Sequence, residues 1–218
     1  MSPRIVQVEP AREARSCRNR VAAIAAGVLA GLLALIGVSG LEACAPRATA
    51  TASPATGGPG GPFNLVDENG RPVDQSILKG KWSLVFFGYT YCPDVCPTTL
   101  TMLGRTMAEL GPRARNVQVV FITVDPARDT PSQLKTYMTS PVFPKNMIGL
   151  TGTPAQTAQA ARAYDVYYQK HGTGANYTLD HSVVVYLMDP EGRFNRPIPE
   201  DQTPQQTARQ IDAAMNGA

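Results

Sequence analysis

Residues 82–100, WSLVFFGYTYCPDVCPTTL, open as an unbroken apolar run and close on a proline that can start a helix, with Cys92 and Cys96 between. The run from Trp82 to Tyr89 has the pattern of a strand buried on both faces in a parallel sheet. A helix is predicted after it, with Pro97 at the first helical position, an end near Leu110 and a stop at Gly111-Pro112. A second apolar run, VQVVFITV over 117–124, follows directly. Strand, helix and strand then make one right-handed parallel crossover, the nucleus of an α/β sandwich.

Three segments further along share one start signal. Thr130-Pro131-Ser132-Gln133, Thr153-Pro154-Ala155-Gln156 and Thr203-Pro204-Gln205-Gln206 each place Thr at the N-cap, Pro at the first helical position and Gln two residues later. Each reads as a capping box, in which the hydroxyl accepts the Gln amide hydrogen and the Gln side chain reaches back. Helices are predicted over about 131–139, 154–164 and 204–216. SVVVYLM, 182–188, reads as a third strong strand, and Asp189-Pro190-Glu191-Gly192 as a turn into a short strand around 193–195. At the other end Asn69-Gly70, after FNLV, is a turn between short strands, so the domain is read as 63–218.

Upstream lies a different kind of chain. The formal net charge of +3 resides in residues 1–20, where Arg4, Arg12, Arg15, Arg18 and Arg20 outnumber Glu9 and Glu13. The rest is formally neutral, which leaves no basic face to release counterions from nucleic acid and excludes that class of partner. Residues 21–41, VAAIAAGVLAGLLALIGVSGL, carry no charge and as a helix would be roughly 30 Å long, enough to span a bilayer. Arginines flank only the N-terminal side, so the positive-inside rule puts residues after Leu41 outside the cytoplasm. A retained anchor is favoured over a cleaved signal peptide because the run exceeds the ~7–15 residues of a secretory apolar core. Leu41-Glu42-Ala43-Cys44 also resembles a lipoprotein cleavage site, with Glu42 a poor fit. Residues 42–62, rich in Pro, Gly, Ala and Thr, read as a flexible tether. Together these place the domain at a bacterial inner membrane, facing the periplasm.

With Pro97 at the first helical position, Cys96 would be the N-cap and Cys92 would lie in the loop before it. Unpaired amides and the positive end of the helix dipole favour thiolate at such a place. Thiolate is both the nucleophile of disulfide exchange and a soft metal ligand, so the spacing leaves a structural disulfide, a redox couple and a metal site all open. Of the two histidines, His181 stands at the start of a predicted strand, where sites collect in α/β folds. Two thiolates and one imidazole are a copper-like set, the sulfurs suiting Cu(I) and the added nitrogen Cu(II). A plain structural hydrogen bond is the competing reading of His181. Asp180, Asp125 and Asp129 are candidate acceptors to orient its ring, and His171, among glycines, reads as an exposed loop residue.

Several segments in order now resemble one family. They are Leu78-Lys79-Gly80-Lys81, the stretch from Phe87 through Cys92 and Cys96 to Pro97, Val124-Asp125-Pro126-Ala127-Arg128-Asp129-Thr130-Pro131, Leu150-Thr151-Gly152-Thr153, and Asp180-His181-Ser182 with 186–190. Over roughly 61–216 the chain resembles the SCO/SenC copper proteins, thioredoxin-fold assembly factors for cytochrome c oxidase. The resemblance implies a thioredoxin-like three-layer α/β sandwich in which Cys92, Cys96 and His181 bind one copper ion, Cu(I) or Cu(II). It implies delivery of that copper to the dinuclear centre of the oxidase's copper-bearing subunit, with other copper chaperones or a thiol reductant as further partners. It also implies an alternative, in which Cys92 and Cys96 are a redox-active pair that keeps the target's cysteines reduced. The chain departs from the family in Tyr177-Thr178-Leu179, where an acidic stretch is usual.

Overall fold

Both apolar runs lie side by side at the middle of a seven-stranded sheet in a computed structural model that describes residues 57–217. The readings that concern 1–20, the apolar segment 21–41, Cys44 and most of the tether fall outside the described residues. In chain order the elements are β1 (Asn64–Asp67), β2 (Pro72–Asp74), β3 (Trp82–Gly88), α1 (Val95–Leu110), β4 (Val117–Thr123) and α2 (Pro131–Tyr137). Then come β5 (Met147–Thr151), α3 (Pro154–Ala163), β6 (Tyr168–His171), β7 (Thr178–His181), β8 (Val185–Met188), β9 (Phe194–Ile198) and α4 (Pro204–Met215). The main sheet has the order β2-β1-β5-β4-β3-β8-β9, while β6 and β7 form a separate two-stranded ribbon.

β3 and β4 pair in parallel from Trp82↔Val117 to Gly88↔Thr123, and β5 continues the parallel set. β8 runs antiparallel to β3, and β1 antiparallel to β5. Side chains alternate across a sheet, so one continuous apolar run feeds two cores. Leu84, Phe86, Val119 and Phe121 pack with α1, α2 and α4 on one face, while Val85, Phe87, Val120 and Ile122 pack with α3 on the other. Each of these eight is at most 1% exposed. That degree of burial contributes roughly 1.5–3 kcal/mol per side chain and explains why the run does not alternate with polar residues.

All three threonines predicted as N-caps hold that position and accept the expected Gln N–H. Two complete the capping box, Thr153 with Gln156 and Thr203 with Gln206. The third does not: the Gln133 side-chain amide donates to Thr90 Oγ1 at 3.2 Å, so α2 is tied to the loop before the cysteines.

The segment read as one strand over 182–188 is divided. Ser182 still belongs with the ribbon, its N–H donating to the Tyr167 carbonyl at 2.9 Å and its Oγ accepting from the Tyr167 N–H at 3.0 Å. The sheet strand begins only at Val185. His181 therefore ends β7 instead of opening a sheet strand, and His171 is a ribbon residue paired with Thr178 instead of a loop residue. Contacts with the domain also reach back into the stretch read as tether, where the Gly60 N–H donates to the Ala163 carbonyl at 2.8 Å.

Candidate metal centre

The helix after β3 begins earlier than its proline suggests. Val95 is its first residue and Asp94 its N-cap, which puts Cys96 in the second helical position and Pro97 in the third. The first four amides of a helix have no partner within it, so proline is tolerated at any of these places and does not mark the start uniquely. The correction exchanges the roles of the two cysteines. Cys92 lies just outside the helix with Sγ accepting the Cys96 N–H at 3.4 Å, whereas Cys96 points inward and is fully buried.

Electrostatics follow from that placement. The Cys92 thiol is lowered to about 5, first because the Cys96 thiol donates to its sulfur, and also because the Cys96 and Asp94 amides point at it. Cys96 is pushed upward, first by the same bond and then by burial. One proton serves both sulfurs and rests on the buried one, leaving Cys92 as thiolate at the helix start. Neither cysteine is in a disulfide.

Room for the Cys96 sulfur comes from Gly88 at the end of β3. A Cβ there would lie 2.7 Å from Cys96 Sγ and 2.8 Å from Phe121 Cε2, closer than real Cβ contacts come. Thr90, in the loop between, is fixed by Asp129, which accepts from the Thr90 N–H at 3.0 Å and from the Thr90 and Thr123 hydroxyls at 2.6 Å each. Asp129 is fully buried, and that burial raises its pKa.

His181 completes the cluster from the ribbon. Its Nε2 is 3.5 Å from Cys96 Sγ, and its Nδ1 is 3.0 Å from the Ser182 carbonyl. A carbonyl oxygen can only accept, so Nδ1 carries the hydrogen and Nε2 is the nitrogen turned toward the sulfurs. The ring stands edge-on to Tyr89 and Phe86, with centroids 5.9 and 6.4 Å away. The ligand atoms of Cys92, Cys96 and His181 all lie within 4.8 Å of one another, and among the described residues no other three such side chains do. Two sulfurs and one nitrogen are a donor set suited to copper in either oxidation state.

The acidic residues expected around the imidazole have other partners. Asp180 is 2.9 Å from His171 on the exposed side of the ribbon. Asp129 serves the Thr90 loop as described, and Asp125 accepts from Arg128 Nε and from the Tyr177 hydroxyl. The backbone carbonyl of Ser182 does the orienting that a carboxylate was expected to do.

What sequence reading missed is the group between these acids. The Arg128 guanidinium stacks on the Tyr177 ring at 3.6 Å and on Tyr91 at 4.7 Å, and Nη1 donates to the Tyr177 and Ala175 carbonyls at 3.0 and 3.3 Å. Lys170 covers the Tyr177 ring with its ammonium 3.6 Å from the centroid. Tyr89 accepts the Leu179 N–H at 3.3 Å. The one available signal was an arginine set between two aspartates in a short loop after a buried strand.

A mixed α/β sandwich with a reduced cysteine pair at the start of the helix after its first central strand, and an imidazole brought over them, defines the thioredoxin-like class of thiol and metal proteins. Within that class the chain belongs to the SCO1/SenC family, whose model matches residues 51–216. It is 45% identical over 158 residues to protein SenC of Rhodobacter capsulatus, covering 72% of this chain and 71% of that one. It is 44% identical over 139 residues to the mitochondrial protein SCO2 of Saccharomyces cerevisiae, covering 62% of this chain but only 46% of the yeast protein. Among solved structures it is similar to Bradyrhizobium japonicum ScoI with copper bound, at 45% identity and a TM-score of 0.66 over 70% of this chain and 97% of that one. Yeast Sco1 with copper bound matches at 36% identity and a TM-score of 0.69, over 74% and 91%.

Proposed function

We propose that this chain is a membrane-tethered copper metallochaperone that holds one copper ion through Cys92, Cys96 and His181 and delivers it to the dinuclear copper centre of cytochrome c oxidase during assembly. The observation that carries the reading is the convergence of two sulfurs and an imidazole nitrogen within 4.8 Å. Copper bound in the B. japonicum and yeast relatives supports copper as the cargo. A half-exposed thiolate beside a buried thiol suits transfer, because an incoming ligand can reach Cys92 before Cys96 lets go. The uncharged segment 21–41 and its one-sided arginines support a tether with the domain on the extracytoplasmic side. No helix among the described residues is long and apolar enough to cross a membrane.

The test is titration of the reduced full chain in detergent with Cu(I) and then Cu(II). One equivalent should bind, with a strong thiolate-to-Cu(II) charge-transfer band that is lost in Cys92→Ala and weakened in His181→Ala. Cu(II) binding that survives His181→Ala unchanged would show the ligand set to be wrong.

A second reading, a thiol-disulfide reductase that keeps the target's cysteines reduced, draws on the lowered Cys92 thiol. It needs only the cysteine pair, so exchange with a dithiol substrate should persist in His181→Ala and vanish in Cys92→Ala.

A further inference from the structure

The β6–β7 ribbon that carries His181 is not part of the main sheet. Its strands pair only with each other, Tyr168↔His181 through His171↔Thr178, and three of the four residues of β6 are exposed. Tyr177 and Leu179 pack into the core, and hydrogen bonds from Tyr89, Arg128 and Asp125 fasten the ribbon. Tyr89, one residue past β3, takes the Leu179 N–H, and Arg128, from the loop after β4, takes the Ala175 and Tyr177 carbonyls. Asp125 accepts from Arg128 Nε and from the Tyr177 hydroxyl at once, so the guanidinium is anchored on one side while Nη1 grips the ribbon. Arg128 is 15% exposed and lies over the rings of Tyr177, Tyr91 and Tyr89. A planar five-donor cation can bind carbonyls at its edge and aromatic faces on its plane together, which lysine cannot do.

We infer that Arg128 is a positioning residue that latches the His181 ribbon over the cysteine pair and thereby sets how strongly the site prefers Cu(II) to Cu(I). The inference rests on the copper reading for its second half and on geometry alone for its first. Releasing the latch frees the ribbon and its imidazole, while Cys92 and Cys96 stay fixed by β3 and α1. Two thiolates suffice for Cu(I), whereas Cu(II) depends on the nitrogen.

The experiment compares wild type, Arg128→Gln, and the pair Asp125→Asn/Arg128→Gln, which removes both charges of the ion pair and leaves Asp129 with its partners Thr90 and Thr123. In metal-free protein, the His181 ring protons should carry aromatic ring-current shifts from Tyr89 and Phe86 in proton NMR. Both variants should lose those shifts, with faster amide exchange at 178–181 and unchanged exchange in β3 and β4. With copper, Cu(II) affinity should fall about 10- to 100-fold, the range found when a ligand's supporting partner is removed, while Cu(I) affinity moves far less. In a His181→Ala background the Arg128→Gln change should alter neither affinity. Unshifted His181 resonances in both variants would overturn the latch. Equal loss of Cu(I) and Cu(II), or an undiminished effect without His181, would overturn the link to metal preference. If wild type bound no copper the proposed function would fail, and the metal-free NMR would still decide whether Arg128 places His181.

Discussion

Cys96 and His181 come within 3.5 Å of each other, yet two unlike structures hold them. The cysteine half is built on β3, six of whose seven residues are buried, and on α1, whose inner face joins the same core. The histidine half is a short ribbon of mostly polar residues, fastened by a few hydrogen bonds and stacked rings. Packing of the first kind is cooperative with the whole fold, whereas contacts of the second kind open locally. Under the proposed function this division is useful, because the sulfurs keep their geometry while the imidazole sits on the part that opens more easily.

The largest expected effect belongs to the rigid half. Phe86 is fully buried and touches both the Phe121 and His181 rings, so Phe86→Ala should cost about 3–5 kcal/mol in global stability by denaturant titration. A comparable loss from any single ribbon substitution would erase the distinction between the halves. Gly88→Ala comes next. The added methyl collides with Cys96 Sγ and Phe121, so destabilisation of about 1–3 kcal/mol is expected, together with a changed rate of Cys96 alkylation. Wild-type alkylation rates in that variant would mean that Cys96 is placed by something other than Gly88.

A pH series sharpens the contrast within the cysteine half. Because Cys92 falls from 9.0 to about 5 on folding, the unfolded chain binds the extra proton between those values, and this group's stabilisation is present above pH 9 and lost as pH falls through 5. The reduced, metal-free protein should therefore lose melting temperature from pH 9 to 5 more steeply than Cys92→Ser, and Cys92 should react with iodoacetamide down to about pH 5. Alkylation with a midpoint near the ordinary ~8.5 of a free thiol would contradict the lowered value. The smallest effect is on the ribbon's outer side, where His171 and Asp180 pair with side chains 48% and 72% exposed. His171→Ala should change stability by less than ~1 kcal/mol in thermal melts and leave the His181 ring resonances in place. Displaced resonances would make that pair a second fastening.

Legibility in the sequence followed the same division. β3 and β4 were readable because strands buried on both faces must be apolar throughout, and three helix starts were readable because Thr-Pro-x-Gln has a local mechanism. The ribbon was not, since YQKH and TLDH are short and polar and owe their pairing to each other instead of to a core. β5 escaped for a different reason, its short apolar run being broken by Gly149, where a side chain would meet Met138 and Leu134. In the site, Cys92 and Cys96 announce themselves by spacing, but which one the helix start favours depended on a boundary two residues away. The Arg128–Tyr177 contact spans 49 positions and leaves no local pattern to read.

That separation along the chain also bears on the order of assembly. Cys92 and Cys96 are four residues apart, while Cys96 and His181 are separated by 85. Closing the longer loop carries the larger entropic cost, and it waits on the ribbon, which can dock only after the strands beneath it have paired. On loop-closure entropy a newly made chain is expected to pass through an interval in which its two thiols are neighbours with no imidazole over them. Any oxidant met during that interval finds a dithiol ready to close, so the redox history of the chain is open to being written before the third ligand arrives.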